Sequence, residues 1–165
     1  MNEQTFSVKV MKIEKPSDAN IILGQAHFIK TTEDLYETML NTNSNAKFGI
    51  AFTESSGDCL IRVEGNDEEL KNIAGKNALN LSCGHSFIII IKDTYPVNFL
   101  NAIKNVPEVC GIYCATANDV EVIVAETEQG RGILGVIDGL KSKGIESKTD
   151  IEKRRKFLRK IGYKF

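Results

Sequence analysis

Two histidines occupy the positions of the sequence with the clearest chemical potential. His27 lies in GQAHFIK and His85 in CGHSF, and the chain contains no other histidine. An imidazole changes its charge near neutral pH, so either ring can act as a base or as a nucleophile. Either can equally be a structural histidine whose ring nitrogens bond nearby backbone groups. Glu54 ends an apolar stretch beside a glycine turn, where it can orient a histidine or act as a base.

Three glycines, Gly130, Gly132 and Gly135, have the spacing G-x-G-x-x-G of dinucleotide-binding turns. That motif requires a helix directly after the glycines, because the free N–H groups of the helix N-terminus hold the pyrophosphate. Here the following residues, ILGVIDG, are rich in β-branched side chains and favour a strand. We therefore predict a glycine hairpin that leads into a strand, with Arg131 near its tip as a surface charge or a phosphate ligand.

Four further polar side chains, together with Arg131, are candidates for contacting a ligand. Asn101 and Asn105 in NAIKNVPEV carry amides that suit the edge of a purine, although the same residue type also caps helices. Three cations could neutralise charge on an anionic ligand: Lys30, Lys92 and Arg131.

Strand and helix signals alternate along the chain. Three helices are predicted to begin at capping residues: Thr32, Asn66 with Glu69, and Thr149 with Glu152. The first covers 33–41, the second ends near Gly84, and the third is a basic helix over about 150–161; a short helix starts at Pro96. Predicted strands cover 6–10, 21–30, 48–52, 59–64, 86–92, 111–116, 120–126 and 133–138.

These elements give the two histidines different settings. His85 falls between a helix stop and the strand 86–92, which is apolar on both faces and therefore expected at the centre of a sheet. The junction places His85 at the edge of that sheet, in a cleft. His27 falls inside the strand 21–30, so its side chain is expected on the face opposite to Phe28, and faces a pocket if Phe28 faces the core.

The order strand, helix, strand, turn, strand occurs twice, over about 21–64 and 86–126. Gly49 and Gly111 occupy matching places in the two units. We therefore predict an α/β fold, with α+β as the alternative. In this fold one domain over 1–165 contains two βαββ-like repeats that share a mixed β-sheet with helices packed against it.

Composition narrows the function classes. A net charge of -1 argues against a nucleic-acid or membrane-surface binder, because such proteins are usually basic. The longest apolar run, 87–91, is too short to span a bilayer, and no signal peptide is recognised, so a cytoplasmic location is expected. The four cysteines lack paired C-x-x-C spacing, and Cys83 with His85 supplies only two ligands, so no metal site is predicted.

Seven blocks in order resemble a family of prokaryotic proteins, the adenosine-specific kinases, also named adenosine monophosphate–protein transferases. The blocks are GQAHFIKT, KFGIAF, EGNDEEL, CGHSF, NAIKNVPEV, CATAN and AETEQGRGILGVIDG, from about residue 20 to the C-terminus. The resemblance implies a compact α/β protein that binds adenosine or AMP and forms a homo-oligomer, a trimer. It also implies a histidine that carries a phosphoryl group, for which we favour His85 over His27.

The leading hypothesis is therefore an adenosine- or AMP-binding phosphoryl transferase that acts through a phosphohistidine. A phosphoryl donor such as ATP and a Mg²⁺ ion stay open, because the P-loop pattern G-x-x-x-x-G-K-[ST] is missing from the sequence. The alternatives are a non-catalytic sensor of adenosine or AMP, and an oligomeric structural protein without a ligand.

Overall fold

A computed structural model describes residues 5–165, and within them eight strands form two antiparallel sheets. The strands are β1 (Ser7–Lys12), β2 (Asn20–Ala26), β3 (Lys47–Thr53), β4 (Ile61–Gly65), β5 (Ser86–Lys92), β6 (Val109–Thr116), β7 (Val120–Glu126) and β8 (Arg131–Asp138). The helices are α1 (Thr31–Thr42), α2 (Glu68–Leu81), α3 (Leu100–Lys104) and α4 (Lys148–Lys160), and a 3-10 turn covers Pro96–Asn98.

The larger sheet has the order β4-β3-β5-β2-β6 and is covered on both faces. Side chains of β5 alternate between two core clusters. Ile88 and Ile90 pack with α2 and with β7 of the smaller sheet, whereas Ile89 and Ile91 pack with α1 and α3. This arrangement explains why β5 has no polar face, and it confirms the predicted central position of this strand.

The smaller sheet has the order β1-β7-β8 and buries one face only. Val122 and Val124 of β7 point into the core and are fully buried. Apolar side chains elsewhere on this sheet lie in solvent, including Val8, Val10 and Leu134, which are 54%, 60% and 61% exposed. The sheet therefore presents uncovered apolar surface.

The predicted α/β class is confirmed, since helices pack against sheets throughout the described residues. The two units differ in one respect from the prediction that they share a sheet. The first unit consists of β2, α1, β3 and β4, and all three of its strands lie in the larger sheet. The second unit places β5 and β6 in the larger sheet but β7 in the smaller one. The edges of β7 pair with β1 and β8, so its backbone groups find their partners outside the larger sheet.

The glycines that occupy matching places in the two units have different environments. A Cβ atom on Gly49 would lie 2.2 Å from the backbone of Leu70 and Lys71 in α2, whereas one on Gly111 would meet nothing within 4 Å. Only the first glycine is therefore required for close packing between a strand and a helix.

The start of α2 differs from the predicted capping box. Asp67, not Asn66, is the N-cap, and its carboxylate accepts a hydrogen bond from Leu70 N at 3.0 Å. Asn66 instead joins β3 to the segment before it: its side chain accepts from Phe48 N at 2.9 Å and donates to Ala46 O at 2.8 Å. An asparagine next to an aspartate offers two caps, and the tertiary contact to β3 decides between them.

The starts of α1 and α4 are also shifted. A capping box formed by Ser147 and Asp150 begins α4, two residues before the predicted pair of Thr149 and Glu152. No side-chain cap precedes α1, because Thr32 lies inside the helix. Residues 5–165 contain no helix with the length and apolarity that a membrane span requires.

Candidate functional site

A cavity of about 570 Å³ lies between the segment that follows β2 and the loop that joins β3 to β4. We call it the histidine pocket, because both histidines of the chain line it. This volume is typical of small-molecule sites. The lining residues are His27, Phe28, Ile29, Glu54, Ser56, Gly57, Asp58, Cys59, Leu60, Arg62 and His85.

Backbone hydrogen bonds fix His85 between the ends of two strands. Its N–H donates to Thr53 O at 2.8 Å, and its carbonyl accepts from Ala26 N at 2.9 Å. The backbone adopts a left-handed conformation with φ of 58°, which turns the chain sharply from α2 into β5. The imidazole stacks on Phe52, with ring centroids 5.7 Å apart and planes inclined by 15°. His85 thus lies at the sheet edge in a cleft, as predicted.

Glu54 lies behind His85 and is 8% exposed. Its Oε1 is 3.7 Å from Nε2 of His85, and it accepts hydrogen bonds from Ser55 N and from the Ser56 hydroxyl. Arg62 Nε lies 3.4 Å from Oε2. Burial alone would raise the pKa of the Glu54 carboxyl, but the bonds from Ser55, Ser56 and Arg62 outweigh burial and lower it. A charged carboxylate therefore faces one side of the imidazole.

His27 is not part of a strand, contrary to the prediction. β2 ends at Ala26, and Phe28 has a φ of 116°, a strained conformation that breaks the extended run and leads into α1. Phe28 is 52% exposed and lines the pocket instead of the core. The N–H of His27 donates to Glu108 O at 2.7 Å. Its ring lies 6.1 Å from that of His85 and is nearly perpendicular to it.

Lys30 does not line the histidine pocket, because two carboxylates hold its ammonium group. It forms ion pairs with Asp34 and with Glu108 Oε1, the second at 2.6 Å. The neighbouring carboxylates of Asp34 and Glu108 raise the pKa of Lys30 to about 12. Glu108 is almost fully buried, and although the ammonium is close, neither carboxylate oxygen has a well-aligned hydrogen bond to any atom of residues 5–165.

Lys92 and Arg131 also lie outside the histidine pocket. Lys92 is 3.4 Å from Asp18. Arg131 is the first residue of β8, and its side chain folds back instead of extending from the hairpin tip. Its Nε donates to Glu126 at 2.9 Å, and one Nη donates to Asn80 O at 3.1 Å, near the C-terminus of α2. The predicted strand after the glycine hairpin is confirmed by β8.

The two asparagines are separated from the histidines as well. Asn105 lines a different cavity of about 280 Å³ between α1 and α3, together with Asp34 and Thr38. Asn101 is exposed on α3. Within the described part of the chain, no group of three or more His, Cys, Asp or Glu side chains is placed to hold a metal ion.

Comparison with known proteins identifies the family. A family model described as adenosine-specific kinase matches residues 11–164. The chain belongs to this family. It is also similar to the PH1918 protein from Pyrococcus horikoshii OT3, whose crystal structure superposes with a TM-score of 0.93. The two sequences are 44% identical over 98% of this chain and 99% of that chain. No curated protein matches the chain.

In this member of the adenosine-specific kinase family, sequence reasoning missed several lining residues of the histidine pocket. Arg62 is the most important, because it is the only lysine or arginine among the described residues that line the pocket. It stands opposite Phe52 in the pairing of β3 with β4. The sequence did contain a signal for Arg62. The predicted hairpin is flanked by two opposite charges, Glu54 before the turn and Arg62 after it.

Proposed function

We propose that this protein binds adenosine or AMP in the histidine pocket and transfers a phosphoryl group through a phosphohistidine at His85. The observation that carries the proposal is the pairing of Glu54 with His85 at the wall of a ligand-sized pocket. Membership in the adenosine-specific kinase family indicates adenosine as the nucleoside. The second histidine, His27, is the alternative carrier.

The position of Glu54 favours one tautomer of His85. Its Oε1 is nearest to Nε2, and a carboxylate there stabilises a proton on that nitrogen, which leaves a lone pair on Nδ1. In the proposed first step Nδ1 attacks the γ-phosphorus of a nucleoside triphosphate such as ATP. The N–P bond forms, the bond from phosphorus to the bridging oxygen breaks, and ADP leaves with that electron pair. Mg²⁺ bound to the triphosphate would neutralise charge on it.

In the second step a hydroxyl oxygen of adenosine attacks the phosphorus, and the N–P bond breaks. The electron pair returns to Nδ1 of His85. His27 is suited to receive the hydroxyl proton, because it lines the same pocket and its ring lies beside that of His85, with 6.1 Å between centroids. AMP and an unmodified His85 result, so the atoms and charges balance over the two steps.

The apolar side of the pocket suits a purine base. Phe28, Ile29 and Leu60 line it and are 52%, 55% and 64% exposed, so they offer uncovered apolar surface for an aromatic ring. Ser56 and Asp58 add a hydroxyl and a carboxylate that can bond ribose hydroxyl groups. Asn101 and Asn105 do not line this pocket, so the proposal gives them no contact with the adenine.

The test is a phosphotransfer assay with adenosine and ATP labelled at the γ-phosphate. We expect labelled AMP and an acid-labile phosphate on the wild-type protein, and neither in His85→Ala. Cys110→Ser, which changes an exposed side chain outside the pocket, is the control and should behave as wild type. If label on the protein and AMP do not exceed the level of His85→Ala and His27→Ala, the transferase is excluded.

Adenosine binding then separates the remaining possibilities. A ligand at a hundred times its dissociation constant adds about 2.7 kcal/mol to the free energy of unfolding. A rise in melting temperature with adenosine or AMP, but no phosphotransfer, would support the sensor. No rise with either ligand would support a structural protein without a ligand.

We further propose that the protein forms a homo-oligomer, a trimer as the family resemblance implies. Two uncovered apolar surfaces support an assembly. One is the exposed side of the smaller sheet, with Val8, Val10 and Leu134. The other is α4, in which no residue is buried and Phe157 is 56% exposed. A helix with no buried side chain gains little stability from its own chain, which favours a partner.

A further inference from the structure

We propose that Arg62 forms a phosphate subsite in the histidine pocket and that it makes the pocket prefer AMP to adenosine. This inference rests on the proposed function for the nucleoside part of the ligand. The phosphate subsite itself follows from the position and the free hydrogen-bond donors of Arg62.

The pairing of the strands places Arg62 on the same wall as His85. Arg62 in β4 stands directly opposite Phe52 in β3, and side chains of opposed residues in an antiparallel pair lie on the same face. Phe52 in turn stacks against the ring of His85. A group that reacts at His85 therefore lies along the wall that carries the guanidinium.

Most hydrogen-bond donors of the Arg62 guanidinium have no partner among residues 5–165. Arginine carries five N–H groups, and among residues 5–165 only Nε of Arg62 has a partner, Glu54 Oε2, at 3.4 Å. The side chain is 40% exposed. Both Nη groups are thus free to bind two oxygens of one phosphate in the bidentate geometry that guanidinium and phosphate share.

The other cations considered for this role are already engaged elsewhere. Lys30 is bound by Asp34 and Glu108, Lys92 lies near Asp18, and Arg131 bonds Glu126 and the end of α2. None of the three lines the histidine pocket. Arg62 is therefore the cation that can reach a phosphate there without breaking an ion pair outside the pocket.

The loop beside Arg62 can complete the subsite. The backbone N–H groups of residues 56–58 donate to no other atom of residues 5–165. Gly57 has a φ of 58°, and a Cβ there would meet nothing within 4 Å, so the loop tip is open to a ligand. Successive N–H groups in such a turn are suited to an anion.

The experiment compares the dissociation constants of adenosine and AMP by calorimetry for wild type, Arg62→Gln and Arg62→Lys. We expect Arg62→Gln to weaken AMP binding at least about tenfold and to change adenosine binding less than about twofold, because charged hydrogen bonds to the phosphate are lost. Arg62→Lys keeps the charge but loses the bidentate geometry of the guanidinium, so its dissociation constant for AMP should lie between those of wild type and Arg62→Gln. Lys76→Gln removes an exposed cation outside the pocket and should leave both constants unchanged.

Equal weakening of AMP and adenosine, or unchanged AMP binding, would overturn the subsite. A circular dichroism melt of each variant identifies a folding defect, and Arg62→Lys then carries the comparison if Arg62→Gln does not fold. If wild type binds neither nucleoside nor nucleotide, the proposed function fails, and inorganic phosphate becomes the probe. Phosphate binding that Arg62→Gln weakens would still support the subsite, whereas no phosphate binding to wild type would exclude it.

Discussion

Glu54 is buried, and its carboxylate keeps its charge because three donors bind it. Its donors are Ser55 N, the Ser56 hydroxyl and Arg62 Nε. A carboxylate held in this way orients the ring of His85 and fixes its tautomer.

Replacing Glu54 by glutamine tests that role. Glu54→Gln keeps the size of the side chain but removes its charge, so His85 loses its orienting partner. We expect the initial rate of protein phosphorylation to fall about 100-fold, measured with ATP labelled at the γ-phosphate. Glu64→Gln, an exposed change on β4, should retain the wild-type rate. Equal rates in Glu54→Gln and wild type would remove Glu54 from the proposed chemistry.

The lowered pKa of Glu54 also predicts a pH dependence of stability. The pKa in the folded protein lies below the ordinary value of 4.5, so the charged carboxylate stabilises the fold at any pH above that value. This stabilisation is lost as the pH falls from 4.5 through the folded pKa. The difference in the free energy of unfolding between wild type and Glu54→Gln should therefore shrink below pH 4.5, as measured by urea denaturation from pH 7 to pH 3. A difference independent of pH would contradict the assignment.

Local signals made His85 predictable, whereas Arg62 required the tertiary structure. A helix stop and an apolar strand on either side of His85 fix its place at a sheet edge. The role of Arg62 depends on the pairing of β3 with β4 and on the loop between them, which no local pattern specifies. For the same reason Lys30 and Arg131 were expected at the ligand. Their partners Glu108 and Asn80 are remote in sequence, and a single sequence does not reveal such contacts.

At the scale of elements, the end of β2 shows where a sequence pattern no longer predicts the backbone conformation. β2 is apolar from Ile21 to Leu23, and its sequence pattern predicts a strand that continues to residue 30, but the positive φ of Phe28 ends the extended run. A phenylalanine rarely adopts such a φ, so propensity predicts the opposite. Strain of this kind in the wall of a ligand-sized pocket is typical of functional sites.

The contact of β3 with α2 gives a prediction with a matched control. Gly49→Ala would place a Cβ 2.2 Å from the backbone of Leu70, which cannot move without displacing α2. We expect a loss of about 3 kcal/mol or more in the free energy of unfolding. Gly111→Ala, at the matching place of the second unit, has open space and should change it by less than about 0.5 kcal/mol. Urea denaturation of both variants measures the difference, and similar losses would contradict the close contact.

At the scale of the whole molecule, both faces of the larger sheet are covered, whereas one face of the smaller sheet is exposed to solvent. Most of this architecture followed from the sequence, because alternating and continuous apolar runs predict sheets and covering helices. The division into two sheets did not, since it depends on which strands β7 pairs with. None of the exposed apolar residues named on the smaller sheet and on α4 lines the histidine pocket.

The proposed assembly predicts a change in molecular mass on mutation. Leu134→Glu introduces a charge on the exposed side of the smaller sheet, where burial against a second chain would be costly. We expect light scattering after size exclusion to give an oligomer for wild type and a smaller species for Leu134→Glu. Leu79→Glu, equally exposed but on α2, is the control and should keep the wild-type mass. A monomeric wild-type protein would contradict the proposal.

The central claim is that the histidine pocket holds adenosine, and a crystal structure with adenosine tests it most directly. We predict electron density for the nucleoside between Phe28 and Leu60, with the ribose directed toward His85. Adenosine bound instead in the cavity between α1 and α3, beside Asn105, or no density at a concentration that saturates binding in solution, would contradict the account.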